Sequence, residues 1–130
     1  MSTILKIDLY LVSPKITFLK SMCKENIEDG IRIAHELGYD GVEILPYNFR
    51  EIAIFKKISS AYGLRIIGIS SAFLKIRYKL SMSDPGKSRL LRKNLKKCID
   101  YAHNIECDFI SIGIIRGKCK EIVPYKLALK

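Results

Sequence analysis

The tract Ala34-His35-Glu36-Leu37-Gly38-Tyr39-Asp40-Gly41-Val42-Glu43-Ile44 recurs in outline as Ala102-His103-Asn104-Ile105-Glu106-Cys107-Asp108-Phe109-Ile110-Ser111-Ile112. Each copy reads as a helix end, a turn with an aspartate, and a short apolar run. Between them, Ala61-Tyr62-Gly63-Leu64-Arg65-Ile66-Ile67-Gly68-Ile69-Ser70 makes the same junction. Recurrence of one junction forces strand and helix to alternate, and alternating elements build a parallel α/β sheet. The alternation ends after what reads as a fourth strand, so the sequence predicts about four strand-helix units in a single domain over residues 1–130.

The elements can be placed by period and punctuation. Ile4 to Leu11 alternates Ile7, Leu9 and Leu11 against Asp8 and Tyr10 until Val12-Ser13-Pro14 breaks it, which predicts a first strand. Asn26 with Asp29 resembles a capping box, and Ile27, Ile31, Ala34 and Leu37 follow at helical spacing up to Gly38. Gly41 to Leu45 is the second strand. Ile52, Phe55, Ile58 and Tyr62 mark a second helix stopped by Gly63, and Ile66 to Ser70 is the third strand. Asp84 and Pro85 open a third helix with an apolar stripe of Leu91, Leu95, Cys98, Ala102 and Ile105. Phe109 to Gly113 is the fourth strand, and Pro124 opens a last short helix. Ala72 to Ser83 reads as the longest loop, a length that points to function.

Hydrophobic content of 48% supports a packed core. No apolar run approaches the ~20 residues of a membrane span, and the first residues lack a signal-peptide layout, so a soluble, cytoplasmic protein is expected and no membrane partner. Cys23, Cys98, Cys107 and Cys119 show no CxxC or CxH spacing and read as buried free thiols rather than disulfides or metal ligands. The net charge of +10 favours phosphate-bearing partners in general. The densest basic set, Lys87, Arg89, Arg92, Lys93, Lys96 and Lys97, lies on one helix with an apolar opposite face and reads as a solvated surface. Nucleic acid is therefore not expected as a partner.

Alignment on the repeat puts Val42, Ile67 and Ile110 at one position and Ile44, Ile69 and Ile112 two residues on, all on the face that helices would cover. The opposite face then carries Glu43, Gly68 and Ser111, followed by Leu45, Ser70 and Gly113, with Asp8 and Tyr10 from the first strand. That face is small and polar. A sheet with helices on both sides needs two apolar faces, so the pattern predicts helices on one side only, as in a (β/α) barrel. The alternative is a two-layer sheet with one wetted face.

Leu80-Ser81-Met82-Ser83-Asp84-Pro85-Gly86-Lys87-Ser88-Arg89 with the helix after it, then Phe109-Ile110-Ser111-Ile112-Gly113-Ile114-Ile115-Arg116-Gly117, resembles the sugar phosphate isomerase/epimerase family with its xylose isomerase-like TIM barrel. Gly38-Tyr39-Asp40-Gly41-Val42-Glu43-Ile44 is similar to the second-strand signature of the same family. The resemblance covers nearly the whole chain but only the N-terminal half of the family's barrel. It implies an α/β parallel half-barrel, and for a full-length relative a divalent metal held by two Glu, one Asp and one His, with the two Glu moving a proton beside a sugar carbonyl. None of those ligands maps onto this sequence, so no catalytic residue, metal ligand or cofactor is assigned and the lone chain is expected to be inactive. Glu106 departs from the repeat, standing where Gly38 does; a left-handed backbone there would cost about 1 kcal/mol.

Tyr10, Glu43, Ser70, Ser71 and Arg116 are the candidate substrate contacts. Glu43 is the inward carboxylate, and burial without a partner would raise its pKa. The competing reading pairs it with Lys6 or Arg65. Ser70, Ser71, Gly113 and Arg116 fall at the predicted barrel mouth, where an arginine can clamp a phosphate or a hydroxyl-rich ligand, or stand solvated on a loop. Lys75, Arg77 and Lys79, with Tyr78, form a second anion-attracting set. His35 and His103 sit in the last turns of their helices, where a partly positive imidazole suits the helix dipole. Apurinic endonucleases share the barrel but carry metal-binding His at strand ends, so an endonuclease-like fragment is the weakest of the readings. Asp40 and Asp108 precede their strands and read as structural. Expected partners are a small sugar or sugar phosphate and either a second copy or a complementary C-terminal half. The alternative function is a non-catalytic half-barrel binding a small anion or a partner chain.

Overall fold

The structure, a computed structural model, describes residues 7–17, 23 and 25–117. The start of the predicted first strand, Lys6, Cys119 and the helix expected at Pro124 lie outside the described residues. Four strands, β1 (Asp8–Val12), β2 (Gly41–Leu45), β3 (Arg65–Ser70) and β4 (Phe109–Ser111), form one sheet in the order β1-β2-β3-β4, and each adjacent pair is parallel. Helices α1 (Ile27–Glu36), α2 (Phe49–Ala61), α3 (Ala72–Tyr78) and α4 (Ser88–Asn104) lie in the crossovers, two of them between β3 and β4.

Local chemistry sets the helix ends. Asn26 caps α1 by accepting from the Asp29 N–H at 2.9 Å. Asn48 does the same for α2 from Glu51 at 3.0 Å, while the Glu51 carboxylate reaches back to the Tyr47 N–H at 2.9 Å. This reciprocal box, Asn48-x-x-Glu51, uses a carboxylate that is 3% exposed. After α1 and α2 the chain turns through Gly38 and Gly63 at φ +78° and +70°; after α4 Glu106 adopts the same left-handed backbone at φ +58°. Asp84 caps a single 3-10 turn, Pro85–Lys87, that leads into α4, rather than α4 itself. Leu91, Cys98 and Ala102 on α4 are buried, with Leu95 and Ile105 packed beside them.

The predicted loop Ala72–Ser83 is corrected to a short helix, α3, followed by a tight loop. Ala72, Phe73 and Leu74 are buried consecutively, and Lys79 at φ +58° ends the helix. Three consecutive apolar residues carry no helical period, so the sequence does not distinguish these seven residues, about two turns, from loop. The Met82 N–H then donates to the Ile115 carbonyl at 2.7 Å, and Leu80 and Ile115 are fully buried where this segment meets the 3-10 turn Ile114–Arg116.

One sheet face packs under the helices. Leu11, Ile44, Ile66 and Ile69 have no exposed surface and meet Ile31, Ile52 and Phe55 in the core. The alignment of Ile67 and Ile110 with Val42 is corrected, because the β2–β3 register shifts between Val42 and Glu43: Val42 faces Ile66, and Glu43 faces Gly68. The bulge gives β3 an extra residue, so Ile66 takes the helix-covered position and Ile67 turns to the other face. In β4, Ile110 pairs with Ile69 and Ser111 with Ser70, two residues from the expected alignment and on the expected faces. Ile112 is not covered, being 46% exposed, because β4 ends at Ser111.

Candidate functional site

The face without helices is built from alternate residues of each strand. Tyr10 stands opposite Glu43, Glu43 opposite Gly68, and Ser70 opposite Ser111. Gly68 permits this packing: a Cβ there would run into the Phe109 ring on the neighbouring strand. Gly41 similarly leaves room for the Ile67 side chain, whose Cδ1 lies 2.6 Å from where a Cβ would stand.

Ser70 and Glu43 act on the ionisation of Tyr10, and Ser111 and Asp8 on that of Glu43. Burial raises the Tyr10 phenol, hydrogen bonding with Ser70 partly offsets this, and the Glu43 charge adds to the rise. Burial likewise raises the Glu43 carboxyl; hydrogen bonding with Ser111 opposes it, and the Asp8 charge reinforces it. Arg65 does not neutralise Glu43. Its guanidinium pairs with Asp108 at 2.5 Å and donates to the Glu106 carbonyl at 3.2 Å. The pairing with Lys6 lies outside the described residues. The arrangement therefore offers an acid held toward its protonated form beside three hydroxyls, which suits hydrogen bonding to a polyhydroxylated ligand.

Of the five predicted contacts, Tyr10, Glu43 and Ser70 come together. Ser71 is fully buried and its hydroxyl donates to the Ser111 carbonyl at 2.7 Å, tying the start of α3 to β4. Arg116 is exposed, with Nε donating to the Gly113 carbonyl at 3.3 Å. Ser111 joins the cluster although it was not among the five. The alternation placed it on the polar face, and only the register of β4 sets it against Glu43.

The sheet's concavity, about 460 Å³, lies toward the strand starts rather than the ends. Asp8, Asp40, Glu43 and Asp108 line it with Arg65 and Phe109. Asp40 has the structural role expected of it, accepting from the Ile7 N–H at 2.8 Å, and Asp108 holds Arg65. His35 and His103 are exposed in the last turns of α1 and α4. Among the described residues no three His, Cys, Asp or Glu side chains converge to hold a metal ion. Cys98 is a buried thiol pushed up to about 12 by burial, and Lys97 nearby pulls the other way. No described helix is long and apolar enough to cross a membrane.

Comparison with known proteins agrees with this geometry. No family model matches the chain. It is 31% identical over 107 residues to the Drosophila melanogaster protein named "Putative hydroxypyruvate isomerase", an alignment covering 78% of this chain and 40% of that protein. Its fold matches the crystal structure of an AP endonuclease, family 2, from Brucella melitensis with a TM-score of 0.53 and 18% identity, over 80% of this chain and 40% of that one. The chain spans about 40% of the length of each. The architecture is an α/β half-barrel of four parallel strands with helices, matching the fold of that neighbour over 40% of its length.

Proposed function

We propose that this chain is the sugar-binding part of an isomerase/epimerase-type barrel and that by itself it binds a small sugar or sugar phosphate without turning it over. The observation that carries the reading is the convergence of Tyr10, Glu43, Ser70 and Ser111 on the sheet face that no described helix covers. Likeness to a protein named "Putative hydroxypyruvate isomerase" supports a small, hydroxylated carbonyl compound as the ligand. Moving a proton next to a carbonyl takes an acid and a base on the two sides of the reacting carbon. Glu43 can hold a proton at its carboxyl and donate it to a substrate oxygen; Asp8, beside it in charge terms, lies in the acidic concavity.

The test is titration of the ¹⁵N-labelled chain with hydroxypyruvate and with a sugar phosphate, alongside an assay for hydroxypyruvate isomerisation. The reading predicts saturable shifts at Tyr10, Glu43, Ser70 and Ser111, their loss in Glu43→Ala, and no turnover. Shifts confined to other surfaces, or turnover by the chain alone, would contradict it. A second reading, a non-catalytic half-barrel docking a partner chain, is favoured by the outer edge of the described sheet, where Phe109 on β4, Ile112 and Ile114 after it and Ile99 on the neighbouring α4 are each 41–59% exposed. A copy of this chain or a complementary half is the partner in that case, and a stable complex without sugar-dependent shifts distinguishes it.

A further inference from the structure

Three successive strand-to-helix connections meet at the end of the sheet where the parallel strands finish. After β1, the Ile16 N–H donates to the Ser13 carbonyl at 3.0 Å and the Lys15 N–H to the Ser13 hydroxyl at 3.2 Å, a turn that fixes where Lys15 leaves the backbone. After β2, the buried Glu51 carboxylate holds the Tyr47 N–H, so this half-buried tyrosine is anchored by its own helix cap. After β3, α3 brings Arg77 onto the Tyr47 ring: its guanidinium carbon is 3.9 Å from the ring centroid, and Nη1 donates to the Tyr47 hydroxyl at 2.5 Å. The Lys15 ammonium lies 5.6 Å from the same centroid.

Two exposed cations are thus gathered on one aromatic ring, and among the described residues neither stands within ion-pair distance of a carboxylate. Glu51, the acid beneath them, is spent on the main chain. Each cation is held at the same ring without a carboxylate to neutralise it, so an anion that meets either of them gains attraction that no acid of the fold already satisfies. The ring contact and one hydrogen bond leave Arg77 with further N–H donors in a planar fork, the geometry that matches carboxylate and phosphate oxygens. The acids lining the open face lie toward the opposite end of the strands and so do not repel an anion held here.

We propose that Lys15 and Arg77, carried on Tyr47, form an anion site that takes the phosphate or carboxylate group of a small ligand. The ligand's hydroxylated body then extends toward Tyr10 and Glu43, a placement that rests on the sugar-binding reading above, whereas the anion site stands on its own geometry. The experiment titrates the ¹⁵N-labelled chain with inorganic phosphate, with acetate and with neutral dihydroxyacetone, at an ionic strength held constant with sodium chloride. Saturable phosphate shifts are expected in residues 13–16, 46–48 and 76–79. Lys15→Met and Arg77→Gln should each weaken binding about tenfold, the loss of one charge-assisted contact, and Lys93→Met/Lys97→Met on the basic face of α4 should leave it unchanged. Acetate binding in the same place identifies a carboxylate-competent site, and its absence restricts the site to phosphate. Lys15→Met removes no hydrogen bond of the fold, so it remains decisive if Arg77→Gln loosens α3. Phosphate shifts spread equally over α4, or indifferent to both rim substitutions, would overturn the site. Phosphate binding here with no dihydroxyacetone response at Tyr10, Glu43 or Ser70 upholds the anion site and removes the sugar reading; the reverse pattern does the opposite.

Discussion

Glu106 holds a left-handed backbone at φ +58° where the two equivalent turns have glycine, at Gly38 and Gly63. The Cβ of an L residue crowds the carbonyl in that region, at about 1 kcal/mol. Glu106 is exposed, and what it contributes to Arg65 is its main-chain carbonyl, which glycine keeps. Glu106→Gly is expected to raise stability by about 1 kcal/mol in urea unfolding, with an unchanged slope; an unchanged or lower midpoint would show that the turn carries no strain. Glu43 makes the opposite kind of statement, through pH. Its folded-state pKa lies above its unfolded one because burial disfavours the charge. The favourable contribution of the neutral acid is therefore complete below the unfolded value and is lost as pH rises through the folded one. Glu43→Gln should match the wild type in stability below about pH 4 and be the more stable of the two at pH 7. Equal stability at both pH values would mean that Glu43 is as well solvated in the sheet as in the open chain.

The helix caps show what the sequence disclosed about elements and what it withheld. Asn26-x-x-Asp29 was readable as a start signal, and the structure has that hydrogen bond. Asn48-x-x-Glu51 carries the same signal in a better form, since Glu51 also reaches back to Tyr47. Asn48→Ala should cost about 1 kcal/mol, measured by thermal unfolding, and should lower the melting temperature more than an exposed substitution such as Lys57→Ala; parity of the two would deny the box its role. Strand faces were legible for Ile44, Ile69 and Ile110 because period-two alternation survives a shift of two residues. They were illegible at Ile66 and Ile67, where a bulge inserts one residue and exchanges the faces. Neighbouring isoleucines give no sign of which one turns inward. Helix α3 escaped for a related reason, with too few residues to display a period. The candidate site was legible through Tyr10, Glu43 and Ser70, which follow from alternation, whereas the meeting of Lys15, Tyr47 and Arg77 depends on how three loops fold together, for which no spacing rule exists.

Among the described residues the sheet is covered by helices on one side, with most of its apolar residues under α1, α2 and α4; the other side carries its acids and hydroxyls and is open around Tyr10 and Glu43, while Val12, Leu45 and Ser70 on that side are buried at the strand ends. Functional readings of the open face, whether it meets a sugar or a partner chain, depend on that asymmetry. Adjacent residues of β1 report it most directly: Tyr10 is 45% exposed on the bare side, and Leu11 has no exposed surface beneath the helices. Thiol labelling of Tyr10→Cys and Leu11→Cys, resolved by mass spectrometry with buried Cys98 as the internal reference, compares the two faces in one experiment. The account predicts that Cys at position 10 reacts at the rate of an open thiol, while Cys at position 11 reacts only when the chain unfolds, as Cys98 does. Protection at both positions would mean that both faces are covered, and the open polar face, with every function placed on it, would be contradicted.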